Sequence, residues 1–381
     1  MPSATHIQFD QRMMALALAM ARRGLGSTAP NPSVGAVIAD EATGEVIARG
    51  TTQPGGRPHA EKDALVRAGV RARGATMYVT LEPCAHTGRV PTCSDSVIAA
   101  GIARVVCALP DPNPVVAGHG FEQLREAGIE VDVGRLGGPA RWMTLGHILR
   151  QTEKRPFVQI KMAVGADGRI ARGDGKSVWV TGPEARADGH LLRAEADAIL
   201  VGGMTVRADN PDLTCRLPGL AARSPIRIVL SPRLGLPDGA KLVSTAREVP
   251  VWLVTGSPSG HADAALSARG VQLVHVPEAL SGAAGMPAVL STLAVKGITR
   301  LLVEGGPRTW RACLDMRVVD EAVVYQNCEP GPSDGLQVIP DGGMDAWFSL
   351  FGLARVGTET FGADTRHVFR RLIGAEFQKA S

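Results

Sequence analysis

The chain has 381 residues, more than one hydrophobic core usually supports, and 45% hydrophobic with 20% charged residues is the composition of a folded, soluble protein. A formal net charge of +4 is too small on this length to indicate nucleic-acid binding. Two of the six cysteines lie in a metal-type motif, which predicts reduced cysteines rather than a disulfide framework. The N-terminus lacks the pattern of a signal peptide and no stretch approaches a membrane span, so we expect a cytoplasmic protein that does not bind membranes.

Strands and helices alternate in the first half. The pattern predicts a helix from Phe9 to Arg22, a hairpin of VGAVIAD and EVIARG, and a helix after His59. Further strands are ATMYVTL, ARVVCAL and IEVDV, with helices between them. This order predicts an α/β/α layered domain with a largely parallel sheet. Ligands of such sheets bind at the carboxyl ends of strands, where the loops LEPC and DPNP are both expected.

The second half begins with the strand PFVQIKMAV, after the basic run EKRP. A helix in ARADGHLLRAEA, the strand DAILVGG and a short helix from Thr205 follow. Later strands are IRIVLS, VPVWLVT, VQLVHV, TRLLVEGG and VVDEAVVYQN, and LARVGTE and RHVFRRL are expected to pair antiparallel. We predict a mixed sheet with helices on both faces, and two domains, residues 1–150 and 151–381.

A metal-binding pattern lies in the first half. His59, in the sequence HAE, is followed by Pro83-Cys84 and then by Cys93. One imidazole and two thiolates suit a zinc ion whose fourth position stays open, as in catalytic sites. A closed structural site would require a fourth ligand, for which His86 and Cys107 are the nearby candidates. We predict that His59, Cys84 and Cys93 bind Zn²⁺.

Glu61 completes this pattern, because H-x-E followed by P-C and another cysteine is typical of zinc deaminases, in which a glutamate that is not a ligand transfers protons. Bound zinc lowers the pKa of water to about 7, and a carboxylate must carry a proton to the departing nitrogen. Residues two apart do not share a helix face, so His59 and Glu61 converge only at a helix start, which Pro58 favours. The same helix start at His59 also suits Cys84, because a helix N-terminus stabilises thiolate over thiol. Unlike in nucleic-acid deaminases, the loop AHTGRVPT separates the two cysteines.

Four segments in the first half resemble a known family: PNPSVGAVI, GGRPHAE, TLEPCAHTGRVPTC and DPNPVVAGHG. They are similar to the deaminase half of the bifunctional riboflavin-biosynthesis enzymes, which join a diaminohydroxyphosphoribosylaminopyrimidine deaminase to an aminouracil reductase. The long gap between the cysteines is also that family's pattern. The resemblance implies a cytidine-deaminase-like fold and further residues that hold the pyrimidine and its ribose phosphate: Asn31, His86, Arg89, Asp111 and Asn113.

The second half resembles the reductase half of the same family. No G-x-G-x-x-G lies between a strand and a helix, but the glycines of VEGGP end a strand before a helix, where a pyrophosphate can approach backbone N–H groups. The segments IKMAVGADGRIA, SVWVTG, LLRAEADAILVGGMTVRADNPDLT and LLVEGGP carry the resemblance. It implies a dihydrofolate-reductase-like α/β fold and NADPH as cofactor. The implied cofactor contacts are Ala163, Trp179, Thr205, Asp209, Gly306, Pro307 and Arg308. The implied substrate contacts are Ser177, Arg193, Leu213, Arg216 and Glu304.

The resemblance implies two consecutive reactions on small phosphorylated pyrimidines, a zinc-dependent deamination and an NADPH-dependent reduction. One alternative is a polynucleotide deaminase with an added domain, which would require a basic channel with aromatic side chains, whereas only 4% of the residues are aromatic. Another is a zinc-stabilised scaffold, which would gain nothing from Glu61. The sequence is compatible with a homo-oligomer.

Overall fold

A computed structural model describes residues 4–85, 91–113, 116–170, 180–233, 235–257 and 261–371. The chain forms two compact units, Met1–Lys154 and Arg155–Ser381. Each unit contains its own sheet and its own hydrophobic core.

The first unit is built on a five-stranded sheet. Its strands are β1 (Gly35–Asp40), β2 (Glu45–Thr51), β3 (Thr76–Val79), β4 (Arg104–Cys107) and β5 (Glu130–Val133). Its helices are α1 (Ala4–Arg22), α2 (Ala60–Ala68), α3 (Cys93–Ala100), α4 (His119–Glu126) and α5 (Gly137–Thr152). The helices and strands expected from the periodicity of this half are therefore present.

The strand order of this sheet is β2-β1-β3-β4-β5. The pairs β3–β4 and β4–β5 are parallel, as expected, whereas β1 pairs antiparallel with both β2 and β3. The sheet is mixed because a short hairpin turn reverses the chain between β1 and β2. The parallel part is the one that presents LEPC and DPNP at its carboxyl edge.

Both faces of the first sheet are covered. Ala36 and Ile38 of β1 point into a core formed with α2, α3 and α4, while Val37 and Ala39 point into a core formed with α1 and α5. This alternation is the two-residue period of a strand buried on both sides. It explains why the strand sequence GAVIA is apolar throughout.

The second unit is built on a nine-stranded mixed sheet of order β11-β10-β9-β8-β12-β6-β13-β16-β15, with a separate short pair, β14-β7. The strands are β6 (Phe157–Val164), β7 (Arg169–Ile170), β8 (Ala198–Gly202), β9 (Ile226–Leu230), β10 (Val251–Thr255), β11 (Val271–His275), β12 (Arg300–Gly305), β13 (Glu321–Asn327), β14 (Leu336–Gln337), β15 (Leu353–Phe361) and β16 (Asp364–Arg371). The helices are α6 (Pro183–Ala194), α7 (Gly203–Asp209), α8 (Lys241–Ser244), α9 (His261–Ala268), α10 (Met286–Val295), α11 (Pro307–Asp315) and α12 (Met344–Ser349).

The strands from β11 to β13 in this sheet are parallel, and β16 and β15 add an antiparallel edge, as the sequence predicted. One core cluster contains Ile160, Leu200 and Val303, and a second contains Ile199 and Leu302, so neighbouring residues of one strand face opposite sides. The parallel arrangement places the carboxyl ends of β8, β12 and β6 side by side.

One stretch departs from the expectation that no segment approaches a membrane span. Pro277–Val295 is long and apolar enough to cross a membrane, by length and composition. It is not one continuous α-helix, because a 3-10 segment, Pro277–Gly285, precedes α10 and is interrupted at Gly282, where φ is 67°. Val289, Leu290 and Leu293 of α10 pack in the core of the second unit. The stretch is arranged like the core helix of a globular domain.

A buried ion pair joins α1 to the first sheet. Arg104 of β4 donates to both carboxylate oxygens of Asp10, at 3.0 and 2.9 Å, and to Glu41 Oε1 at 2.7 Å. The Tyr78 hydroxyl donates to Asp10 Oδ1 at 2.7 Å. Because the Asp10 side chain is fully buried, it depends on these donors for its charge to be tolerated.

We predict that Arg104→Met destabilises the first unit by about 3–5 kcal/mol, because the substitution leaves a buried carboxylate unpaired. Arg71→Met is the matched control and should destabilise the unit far less, since Arg71 and Glu45 are both half-exposed and solvent screens their ion pair. Hydrogen exchange of the β3 and β4 amides measures both changes. Equal protection in the two variants would contradict the prediction.

The same interaction predicts a pH dependence. Burial alone would raise the pKa of Asp10, but hydrogen bonds from Arg104 and Tyr78 hold it below its ordinary value. A lowered folded-state pKa stabilises the protein above the unfolded value of about 4, and the contribution is lost as pH falls through the folded-state pKa. Below pH 4 the parent should lose protection more steeply than Arg104→Met.

Candidate active sites

Three predicted metal ligands meet in the first unit. His59 Nδ1, Cys84 Sγ and Cys93 Sγ all lie within 4.8 Å of one another, with Nδ1 at 3.6 Å from Cys84 Sγ and 3.3 Å from Cys93 Sγ. Tetrahedral coordination with bonds of about 2.0–2.3 Å separates ligand atoms by about 3.3–3.8 Å. The donor set and its spacing therefore fit zinc. Cys107 is not part of this cluster, because its thiol is buried in the core and donates to the Leu109 carbonyl.

The local fold brings these ligands together at two helix starts. His59 is the N-cap of α2, with extended backbone angles of −69° and 160°, and Cys93 is the first residue of α3. Cys84 lies in the loop that follows β3. The backbone N–H of Cys93 donates to Cys84 Sγ at 3.4 Å, so the helix start beside the Cys84 sulfur is that of α3.

The two thiols differ in their affinity for protons. Hydrogen bonds from the Cys93 thiol, His59 and the Cys93 backbone lower the pKa of Cys84 to about 4 against the effect of burial. The hydrogen bond to Cys84 and burial raise the pKa of Cys93 above its ordinary value. A divalent metal ion bound here would favour the thiolate form of both cysteines, since metal ligands bind deprotonated.

Glu61 lies beside the ligands on the first turn of α2 and is only 3% exposed. His59 and Cys93 are near enough to oppose the effect of burial on its pKa. Burial raises its pKa to about 7, which suits a group that accepts and returns a proton at neutral pH. Because His59 adopts extended backbone angles before α2, its side chain and that of Glu61 converge, as the helix-start argument predicted.

Three of the predicted pyrimidine contacts, Asn31, Asp111 and Asn113, lie in loops of the first unit. The Asn31 side-chain amide donates to the Gly56 carbonyl at 3.0 Å, in the loop that leads to His59. Gly56 has φ of 86°, and a Cβ there would lie 2.2 Å from Asn31 Nδ2. Asp111 and Asn113 form one turn, in which Asp111 Oδ1 accepts the Asn113 N–H at 2.8 Å. His86 and Arg89 lie outside the described residues.

Sequence reasoning missed Glu82, two residues before Cys84. Its side chain is buried and accepts three backbone hydrogen bonds from the loop that contains Asp111. An acidic residue directly after the buried strand YVTL was the available signal, because a buried carboxylate must find donors. Those donors lie 29 to 38 residues further along the chain, so their identity is not visible in the local sequence.

In the second unit, the predicted cofactor contacts that the structure describes lie at adjacent strand ends. Ala163 is near the end of β6, Thr205 and Asp209 lie on α7 after β8, and Gly306 follows β12. Gly306 is the N-cap of α11 with φ of 77°, and a Cβ there would lie 2.8 Å from Thr205 Oγ1. Pro307 is the first helical residue, followed by Arg308. The turn thus exposes a helix N-terminus, where phosphate groups are favoured. Trp179 lies outside the described residues.

Two predicted substrate contacts bind each other. Arg193 Nε and Nη2 donate to the two oxygens of Glu304 at 2.6 and 2.7 Å, and Nη1 donates to the Thr214 carbonyl at 2.9 Å. Burial alone would raise the pKa of Glu304, but the charge and hydrogen bonds of Arg193 lower it to about 2. Three of the five guanidinium N–H groups are therefore engaged within the protein. Leu213, buried with φ of 59°, precedes Thr214.

Arg216 differs from Arg193 because its side chain is exposed. Its backbone N–H donates to His190 Nδ1 at 3.2 Å. Burial and the neighbouring charges of Arg193 and Arg216 lower the pKa of His190 to about 4. The region around α6 thus presents two cations and a neutral imidazole. Ser177 lies outside the described residues.

Lys161 is a second residue that sequence reasoning missed. It lies on β6, where burial lowers its pKa and the charge of Glu304 opposes that effect. Its Nζ is 5.6 Å from the centre of the Tyr325 ring. A lysine within the apolar strand PFVQIKMAV was the available signal. It brings a cation to the same strand edge as Glu304.

Comparison with known proteins identifies both units. The family model of the cytidine and deoxycytidylate deaminase zinc-binding region matches residues 7–109, and that of the RibD C-terminal domain matches residues 156–364. The riboflavin biosynthesis protein RibD of Aquifex aeolicus (strain VF5) is 42% identical over 318 residues, which cover 84% of this chain and 86% of that protein. RibD of Escherichia coli (strain K12) is 39% identical over 327 residues, covering 83% and 87%.

Solved structures agree over almost the whole chain. Acinetobacter baumannii RibD superimposes with a TM-score of 0.82 at 32% identity, covering 96% of this chain and 99% of that one. The Thermotoga maritima diaminohydroxyphosphoribosylaminopyrimidine deaminase/5-amino-6-(5-phosphoribosylamino)uracil reductase gives the same TM-score, identity and coverage. The chain belongs to the RibD family of riboflavin biosynthesis proteins and combines a zinc-dependent deaminase with an NADPH-dependent reductase.

Proposed function

We propose that residues 1–150 catalyse the hydrolytic deamination of 2,5-diamino-6-(5-phosphoribosylamino)pyrimidin-4-one at its 2-amino group. Residues 151–381 then reduce the ribosyl group of 5-amino-6-(5-phosphoribosylamino)uracil to ribityl with NADPH. The observation that carries the first assignment is the cluster of His59, Cys84 and Cys93 with buried Glu61 beside it. The substrates are those after which the Thermotoga maritima enzyme is named, and the match covers 99% of that enzyme's chain.

Each residue of the deaminase site has a distinct task in this proposal. A zinc ion held by His59, Cys84 and Cys93 would supply a nucleophile at neutral pH, because zinc lowers the pKa of water. Glu61 is the group that accepts a proton and returns it to the departing nitrogen, for which its pKa of about 7 is suited. Asn31, Asp111 and Asn113 hold the pyrimidine ring, and His86 and Arg89 contribute to binding the ring and its ribose phosphate.

In the reductase, the residues at the carboxyl ends of β6, β8 and β12 hold NADPH and substrate. The N–H groups at the start of α11 receive phosphate, and Thr205 and Asp209 contact the cofactor from α7. Arg193, Arg216 and Glu304 place charge around the substrate, and Lys161 adds a buried cation. We assign hydride transfer to positioning and electrostatics rather than to a dedicated base.

The family's members are soluble biosynthetic enzymes that act on small molecules. We propose that this chain is cytoplasmic, that its substrates are phosphorylated pyrimidines, and that it binds neither nucleic acid nor membranes. A homo-oligomer is compatible with this proposal. The direct test incubates the protein with the diaminopyrimidine phosphate, with and without NADPH, and identifies the products by mass. The uracil product alone is expected without NADPH and the ribityl product with it, whereas unchanged substrate in both would refute the proposal.

For the metal, Cys93→Ala should remove most of the zinc, which is otherwise expected at one ion per chain. The remaining imidazole and single thiolate form an incomplete site. Cys107→Ala is the control, because Cys107 is equally buried but lies outside the cluster, and it should retain zinc. Metal analysis of the purified variants distinguishes these outcomes. Full zinc retention in Cys93→Ala would assign the third ligand to another residue.

For the two chemistries, Glu61→Gln should reduce deamination by about 10²–10⁴-fold while reduction of pre-deaminated substrate stays near the parental rate. Gln keeps the size of Glu but cannot accept and return a proton at neutral pH. Ammonia release and NADPH oxidation are measured separately on zinc-loaded protein. Deamination at the parental rate would exclude Glu61 as the proton carrier, and loss of both activities would show that the two sites are coupled.

For substrate phosphate, Arg216→Met should raise KM for the phosphorylated reductase substrate about ten- to a hundredfold and leave KM for the dephosphorylated analogue almost unchanged. Arg216 is the better test than Arg193, because replacing Arg193 also leaves the buried Glu304 without its partner. Arg233→Met, another exposed arginine of this unit, is the control and should change neither value. Equal changes for the two substrates would refute the phosphate contact.

A further inference from the structure

The Glu82 carboxylate binds three backbone N–H groups. Oε2 accepts from Asp111 at 2.9 Å and from Gly118 at 3.0 Å, and Oε1 accepts from Gly120 at 2.8 Å. Glu82 itself lies between β3 and Cys84, and its own N–H donates to the Leu109 carbonyl at 2.9 Å. One buried side chain therefore connects the segment that carries a zinc ligand to the loop between β4 and α4.

The three donors come from both ends of that loop. Asp111 lies near its beginning, Gly118 is the N-cap of α4 with φ of 88°, and Gly120 is the second helical residue. The carboxylate thus closes the base of the loop and also lies at the positive end of a helix. A Cβ on Gly120 would lie 2.2 Å from the Pro83 carbonyl oxygen, so only glycine permits this close approach.

We propose that Glu82 is a positioning residue of the deaminase, which fixes Asp111 and Asn113 relative to the zinc ligands. The inference rests on the proposed function, in which Asp111 and Asn113 contact the pyrimidine. Two consecutive hydrogen bonds hold these residues in place: the Glu82 carboxylate accepts from the Asp111 N–H, and the Asp111 carboxylate accepts from the Asn113 N–H. Glu82 itself acts through these residues and does not touch the substrate.

The three hydrogen bonds require a carboxylate. An ionised Glu has only acceptors, with room for several donors on its two oxygens, whereas the amide of Gln replaces one oxygen with a donor. In Glu82→Gln at least one of the three N–H groups would face an NH₂ group and lose its partner. The loop would then shift relative to Cys84 while its residues remained the same.

The test is Glu82→Gln in the full-length, zinc-loaded protein with the diaminopyrimidine phosphate. KM for deamination should rise on the order of ten- to a hundredfold, more than kcat falls, because a misplaced ring-binding loop weakens productive binding. Zinc content and reduction should stay parental. Glu82→Asp, which keeps the acceptors on a shorter chain, should give a KM closer to the parental value. Glu41→Gln is the matched control: it changes another carboxylate of the first unit, bound to Thr76 and Arg104, and should leave KM unchanged.

Asn113→Ala separates the positioning role of Glu82 from the proposed contact between Asn113 and the pyrimidine. If it raises KM and Glu82→Gln does not, the positioning role is overturned and the substrate contact stands. If Asn113→Ala leaves KM at the parental value, the proposed contact is wrong. Loss of zinc from Glu82→Gln would also overturn the inference, since Glu82 would then support the metal loop alone. A double variant whose KM is no higher than that of Asn113→Ala supports it, because residues that act through one another are not additive.

Discussion

A carboxylate removed from water must be matched by a cation, by N–H donors or by a proton, and all three solutions occur around the two sites. Glu304 is matched by Arg193 and keeps a pKa of about 2. Glu82 is matched by three backbone N–H groups. Glu61 has weaker compensation, so burial raises its pKa to about 7. The group with the least compensated charge is the one that must exchange protons, which explains why its surroundings differ from those of the other two.

The sequence predicted the metal centre well because its ligands lie in short, contiguous motifs. H-x-E and P-C identify residue types at fixed spacing, and the expected helix start at His59 explains how alternate residues converge. Most helices and strands were also predictable, since each has a clear apolar period. The residues whose roles depend on distant partners were not. Arg193 and Glu304 are 111 residues apart, so the ion pair between these two predicted substrate contacts could be found only once the fold was known.

The same limit applies to single charged residues in apolar strands. Lys161 lies on β6 and Glu82 three residues after the end of β3, and in the sequence each resembles an ordinary polar position. Their function follows from what the neighbouring elements bring to them. The direction of strand pairing could not be predicted from local sequence patterns either. The antiparallel pairing of β1 with β3 depends on where the chain returns to the sheet after α2, and the spacing of apolar residues contains no information about that.

The order of strands in the second sheet has a consequence for synthesis of the protein. β12, residues 300–305, lies between β8 and β6, which precede it by about a hundred residues or more. The middle of that sheet therefore stays open until the ribosome has made and released β12, and the parallel contacts around it close long loops. The first sheet needs nothing beyond Val133 for its strands. During translation the deaminase sheet can assemble while the other half is still emerging, and the apolar edges of β6 and β8 then remain the part of the nascent chain most exposed to misassociation.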